Sequence, residues 1–285
     1  MKIQSTGRQI GFAILAIVVT LTNSTSKALA SSGKLTTIDF PGASFTAGLG
    51  INSGGDIVGR YEIDGVSHGY MLRGGDFTVI DPPDTTFTRA FGINRRGDIV
   101  GRYEVNGVVH AFVYSGGKYR TIDFPGASLT SGLGINDRGD IVGLYTSDDV
   151  SHGFLLSGDE FGSIDFPDAS LTTAFGINCR GDIVGIYEIA GVTHGFLMNG
   201  DEFASIDFPG ASSTSAIGIN CCGDIVGNYV IAGETHGYLL SEGEITLIDV
   251  PGASTTWAYG INRRGDIVGS YMSDGVIHGY VLSNQ

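Results

Sequence analysis

Basic residues are scarce. Lys and Arg together number 16 against 30 Asp and Glu, giving a formal net charge of −14. A chain this acidic repels a phosphate backbone, so nucleic acid is excluded as the expected partner. Proline is also scarce, at 7 residues, and the 46 glycines follow no Gly-X-Y period, which excludes collagen. A hydrophobic fraction of 42% is too high for a disordered tail. No window beyond the first thirty residues carries a sustained helical period. Walker loops, zinc-ligand pairs and dinucleotide fingerprints are missing, so neither cofactor nor metal is expected. Cysteine occurs three times, as Cys179, Cys221 and Cys222, an odd count that makes a poor disulfide framework.

Long hydrophobic runs are absent apart from Ile10–Leu21. Lys2 and Arg8 precede that run, and Ala28-Leu29-Ala30 follows it in the small-x-small pattern of a signal-peptidase site. This predicts a secretory signal over residues 1–30 and a short leader over 31–33. The run is short for a bilayer span. Cleavage would remove Lys2, Arg8 and Lys27 and no acid, so the mature charge is −14 − 3 = −17. The expectation is an exported, periplasmic or extracellular monomer that leaves the membrane once cleaved.

What is present is a repeat. Asp39, Asp81, Asp123, Asp165, Asp207 and Asp249 are spaced by 42 residues, and so are His68, His110, His152, His194, His236 and His278. The Asn52 and Tyr61 series keep the same period, and six copies fill residues 34–285. Each copy holds four short pieces rich in β-branched and aromatic residues, in the first copy KLTTIDF, SFTAGLGIN, DIVGRYEI and VSHGYML. Gly-based turns separate them, which is the signature of strands and hairpins.

Four strands per repeat of this length match a propeller blade. A β-solenoid is the rival, but its coils are shorter and it needs end caps. The expected fold is all-β: one six-bladed propeller over 34–285, built of six four-stranded 42-residue repeats. The TAGLGIN piece, rich in small residues, suits the crowded innermost strand. That phase makes the N-terminal KLTTIDF the outer strand of the last blade, closing the ring and leaving no open edge. It also puts the Asp-Phe-Pro-Gly-Ala-Ser connections on one face and the Asn-x-x-Gly-Asp turns on the other.

Those turns contain Arg-Gly-Asp at 96–98, 138–140, 180–182 and 264–266. Asn suits the first position of a type I turn and Gly the left-handed position after it. The two residues between vary as SG, RR, DR, CR, CC and RR. Arg is therefore read as an optional, solvent-facing turn residue and the tripeptide as a by-product, not an adhesion signal. A calcium loop fails because Arg-Arg replaces the supposed oxygen ligands in other copies. Cys179, Cys221 and Cys222 lie in the same variable pair, and drift from Arg codons is the simpler reading. A bridge from Cys179 to Cys221 or Cys222 requires the two turns to come within disulfide reach.

His110-Ala111-Phe112, together with the recurring GINxxGDIVG, resembles the bacterial extracellular HAF-repeat family. The other copies read His-Gly-Tyr or His-Gly-Phe. The resemblance covers 34–285. It implies an exported, β-propeller-like protein and carries no catalytic residues with it.

The six histidines lie on third strands, too far apart to share an ion. They are expected to be structural, each bonding a repeated carboxylate of the Asp39 series. Gly65-Val66-Ser67-His68-Gly69 matches the esterase pattern G-x-S-x-G but lacks the strand-to-helix elbow. Residues that break the repeat are better candidates for function. Just after an invariant Thr on the innermost strand stand Ala47, Arg89, Ser131, Thr173, Ser215 and Trp257, the only Trp. In the expected phase they ring the channel mouth, where Arg89 and Trp257 would hold a carbohydrate or other small polar ligand. Two functions follow: an exported binding or scaffold protein, or a secreted hydrolase or lyase acting on polysaccharide or ester. An enzyme should gather several ionisable residues at the mouth. The sequence offers Arg89 and no acid beside it, which favours binding.

Overall fold

A computed structural model describes residues 15–17 and 33–283. The chain is all-β in these residues, a propeller of four-stranded blades. The signal expected over 1–30 lies outside the described residues except for β1 (Leu15–Ile17), and β2 (Lys34–Ile38) opens the repeats. The first blade holds β3 (Phe45–Ile51), β4 (Ile57–Ile63), β5 (Val66–Arg73) and β6 (Asp76–Val79). The second holds β7 (Phe87–Ile93), β8 (Ile99–Val105), β9 (Val108–Ser115) and β10 (Lys118–Ile122). The third holds β11 (Leu129–Ile135), β12 (Ile141–Ser147), β13 (Val150–Ser157) and β14 (Glu160–Ile164). The fourth holds β15 (Leu171–Ile177), β16 (Ile183–Ile189), β17 (Val192–Asn199) and β18 (Glu202–Ile206), with β1 parallel to β18. The fifth holds β19 (Ser213–Ile219), β20 (Ile225–Ile231), β21 (Glu234–Ser241) and β22 (Glu244–Ile248). The remaining strands are β23 (Thr255–Ile261), β24 (Ile267–Ser273) and β25 (Val276–Ser283), and β2 pairs antiparallel with β25 from Lys34↔Ser283 to Ile38↔Gly279.

Each blade is an antiparallel meander. The second hairpin of the first blade turns at Asp64 and Gly65, both at positive φ (52° and 77°), the geometry of a two-residue I′ turn. The innermost strand carries a bulge: Gly48 faces Gly59 and Gly50 faces Val58, which leaves Leu49 unpaired. Small residues are needed here because inner strands crowd one another. A Cβ on Gly134 would lie 2.6 Å from the Phe175 carbonyl of the next blade.

The core lies between blades. Val100, Ala111, Val113 and Ile122 of the second blade bury against Ile141, Tyr145, Phe154 and Leu156 of the third. Ile38, Ile51, Ile57, Tyr61 and Tyr70 bury against Val268, so the first and last repeats share a cluster as well.

Candidate ligand-binding site

The Asn-x-x-Gly-Asp turns carry a polar network that links one repeat to the next. In each repeat the Asn side-chain oxygen accepts N–H groups from its own turn; Asn136 Oδ1 takes those of Arg138, Gly139 and Asp140. Its amide donates to Asp140 and to the carbonyl of Asn178, the equivalent residue one repeat on. The same bond runs from Asn52 to Asn94, Asn94 to Asn136, Asn178 to Asn220, Asn220 to Asn262 and Asn262 to Asn52, at 3.1–3.3 Å. The Asn is thus both the turn's cap and a link between neighbouring blades.

The arginines of these turns are not the idle surface residues the sequence suggested. Arg138 donates to Asp140 and, from Nη1, to the Cys179 carbonyl of the next blade at 2.9 Å. Arg96, Arg180 and Arg264 bond the carbonyls of Asp137, Cys221 and Ser53 in the same way. The first turn has Gly54 in place of Arg, and Arg73 supplies the missing cation, 2.9 Å from Asp56. The Arg-Gly-Asp carboxylates are consumed by this network. Asp98 accepts from Asn94, Arg96 and Ser115 and its side chain is only 13% exposed, so it presents no free carboxylate to a receptor.

The same geometry decides between the two readings of the cysteines, drift and a bridge from Cys179, in favour of the bridge. Neighbouring turns bring Cys179 and Cys221 to a Cα separation of 5.4 Å, and they form a disulfide, while Cys222 is free and exposed. Their separation of 42 is one repeat, so they stand at equivalent places in neighbouring turns; what the sequence left open was whether those turns come within reach.

Every histidine meets an aspartate. Nδ1 of His68, His110, His152, His194, His236 and His278 bonds Asp81, Asp123, Asp165, Asp207, Asp249 and Asp39 at 2.6–3.0 Å. The imidazole also stacks on the repeat's Tyr, at 5.1 Å between centroids for Tyr145 and His152. In four repeats a Phe covers the other Tyr face, as Phe124 does at 3.6 Å. Pro82 and Val250 stand at that Phe position in the remaining two. Among the described residues no group of three His, Cys, Asp or Glu could hold a metal ion.

The opposite end of the channel holds a cavity of about 280 Å³. Its wall is the set of bulged residues, Leu49, Phe91, Leu133, Phe175, Ile217 and Tyr259, one from each inner strand, with Arg60 and Arg89 among them. Of the residues predicted to ring the mouth, only Arg89 lines this cavity. Ala47, Ser131 and Thr173 are buried, and Ser215 and Trp257 are half-buried but do not line it. The wall is built instead from the residues that the bulge leaves unpaired, two places after the 47 series, and Arg89 is the member of that series that lines it as well.

Two arginines escaped sequence reading. Arg60 and Arg102 occupy the place between an invariant Gly and Tyr that Leu144, Ile186, Asn228 and Ser270 fill elsewhere. That break in symmetry was visible but went unread, because the second strand had no expected contact with the channel. Arg102 faces Arg89 directly across β7 and β8. Arg60 lies 4.0 Å over the Phe45 ring and pairs with Glu62 at 2.7 Å. Among the described residues neither Arg89 nor Arg102 has an ion partner, and the Nε of each is buried with no hydrogen bond. Burial, then the charges of Arg60 and Arg102, push the Arg89 guanidinium down to about 10 against an opposing pull from Glu62. Burial and Arg60 also lower Arg102.

No protein-family model and no curated protein matches the chain. Solved structures do resemble it. A streptogramin B lyase is 14% identical at a TM-score of 0.54, over 90% of this chain and 100% of that one. A catalytically inactive virginiamycin B lyase from Staphylococcus aureus with quinupristin is 11% identical at 0.54, over 88% and 99%. The β-propeller domain of the Trilobed protease from Pyrococcus furiosus, described as having an open velcro topology, is 10% identical at 0.51, over 85% and 95%. At these identities the likeness shows the propeller fold and nothing of the chemistry.

Proposed function

We propose that the chain is an exported, monomeric binding protein: a six-bladed propeller closed by β2, whose channel cavity holds a small ligand with a polar group. The cycle of asparagine bonds and the β2–β25 pairing support six blades and closure. The signal-like N-terminus and the HAF-type repeat support export. The observation that carries the binding reading is the cavity wall. It is an apolar belt broken by two guanidiniums and one phenol, with no carboxylate or imidazole among its residues. Pockets of this make-up, mostly apolar with a few convergent polar groups, suit a ligand. A hydrolase or lyase at the same place would need an acid or base to move a proton, and the histidines and aspartates that could serve are tied to one another, the histidines on third strands and the aspartates just past the outer strands.

The test is a thermal-shift and calorimetric screen of the purified chain against neutral sugars, sugar acids and small organic acids and alcohols, with glycan and ester turnover assayed in parallel. Saturable binding without turnover supports the proposal. Turnover, or failure of every ligand to bind, overturns it.

A further inference from the structure

The three arginines at the first and second blades are an unusual expense. The chain has 16 basic residues in all, and three of them gather here around Phe45, Phe87 and Phe91. Like charges directly opposite on paired strands repel, and Arg89 and Arg102 are such a pair. Burying a guanidinium without a partner costs more still. The nearby acids do not neutralise them. Glu62 is taken by Arg60, and Glu104, two places from Arg102, sits 3.1 Å from Thr86 Oγ1 and forms no ion pair among the described residues. Elsewhere the repeat fills the same two positions with uncharged residues, such as Ser131 and Leu144 in the third blade. The fold therefore does not require the arginines.

Resting on the binding reading above, we propose that the cavity is a site for a compact monocarboxylate with an apolar body, its carboxylate on Arg60 and Arg89 and its body against the bulged belt. A planar guanidinium fork matches a carboxylate in two parallel hydrogen bonds. Arg89 and Arg60 line the cavity, so both reach such a group. Arg102 lies behind them, 5.7 Å from the Phe91 ring, and acts as a positioning residue that adds positive charge and aims Arg89. The rest of the wall is Leu49, Phe91, Leu133, Phe175 and Ile217, with the Tyr259 phenol as the one further polar group. That belt disfavours a body covered in hydroxyls, each of which would lose water without finding a partner. A sugar acid is therefore a poorer fit than an aromatic or short aliphatic acid.

The experiment is calorimetric titration of the full chain with benzoate and hexanoate, with their neutral counterparts benzyl alcohol and hexanol, and with glucuronate and glucose. Both carboxylates are expected to bind at least tenfold more tightly than their alcohols. Arg89→Ser, which installs the residue of the third and fifth repeats, should weaken benzoate at least tenfold while the ligand-free protein melts no lower than the parent. Arg102→Leu should weaken benzoate several-fold and leave benzyl alcohol unmoved, a split that a purely structural residue would not produce. Should Arg89→Ser fail to fold, Arg89→Lys keeps the charge, loses the fork and should retain part of the affinity. Equal binding of acids and alcohols, or benzoate affinity unmoved by the Arg89 variants, overturns the carboxylate assignment while the cavity remains a binding site. Glucuronate binding better than benzoate overturns the apolar body. If none of the six probes binds, the carboxylate assignment fails; if the wider screen is also empty, the binding reading fails with it.

Discussion

Asn262 donates its side-chain amide to the backbone carbonyl of Asn52 at 3.2 Å, across 210 residues of chain. No other bond in the asparagine cycle spans more than 42 residues. It sits at the same seam as the β2–β25 pairing and the His278–Asp39 bond, so three kinds of contact join the first repeat to the last.

Deleting Lys34–Phe40 tests that seam. The deletion removes buried Ile38 and the half-buried Phe40, uncovers the edge of β25 and leaves His278 without Asp39. Two large apolar side chains at about 1.5–3 kcal/mol each give an expected loss of roughly 3–6 kcal/mol. Chemical denaturation measures it. A truncated protein as stable as the parent would mean that the contacts between the first and last repeats contribute nothing to stability.

Asn136 and Arg138 sit two residues apart in one turn and should behave differently. Asn136→Ala strands three turn N–H groups and one carbonyl of the next blade in a buried setting. At about 1–3 kcal/mol for a buried polar group left unpaired, the variant should lose at least ~2 kcal/mol. Arg138→Ala removes an ion pair and an inter-blade bond from a side chain that is 55% exposed, and should lose about 1 kcal/mol or less. Comparable losses in the two variants would refute the view that the asparagine, not the arginine, carries the link.

Much of the blade was legible in the sequence because a 42-residue period repeats every constraint six times. Alternation marks the strands, Gly marks the turns, and each His has an Asp one strand away. The site was less legible. Most of the cavity wall comes from residues left unpaired by a one-residue bulge, such as Leu49 between Gly48 and Gly50, and no composition rule announces where a bulge falls. Symmetry-breaking points to the Ala47 series, whereas the wall is mostly the Leu49 series. Arg89 was found because it breaks the repeat on the inner strand. Arg60 and Arg102 break it just as plainly on the second strand, but their approach to the axis depends on how one blade leans on the next.

The disulfide should be a staple between the fourth and fifth turns. Cys179 and Cys221 lie 42 residues apart in sequence, and closing a loop of that size stabilises by about 2–4 kcal/mol. Dithiothreitol should lower the melting temperature of the parent and leave a Cys179→Ser, Cys221→Ser double variant unmoved. A parent indifferent to reductant would show that the bond contributes nothing to stability.

The last prediction concerns alkaline pH. Burial, with a smaller push from nearby charges, holds the phenols of Tyr119 and Tyr229 up to about 12, and Tyr70, Tyr238 and Tyr280 are raised further. A phenol whose folded value lies above its unfolded value keeps a proton that the unfolded chain gives up. Its contribution is complete below about pH 10 and is lost as pH rises through the folded value. Arg89 works in the opposite sense: its folded value is pushed down to about 10, so between there and its ordinary value the unfolded chain holds more protons and stability rises with pH. One or two arginines oppose several tyrosines, so the net slope is downward and the protein should unfold between about pH 10 and 12. Tyr280 offers a sharper version, because its hydroxyl is buried without a partner and Phe112, Phe154 and Phe196 fill the same place in other repeats. Tyr280→Phe should raise stability at neutral pH by about 1–3 kcal/mol, the cost of an unpaired buried polar group, and should shift alkaline unfolding upward. Thermal melts of parent and variant across that pH range measure both effects. A variant less stable than the parent at neutral pH would mean that the hydroxyl has a partner and that the phenol is there for stability.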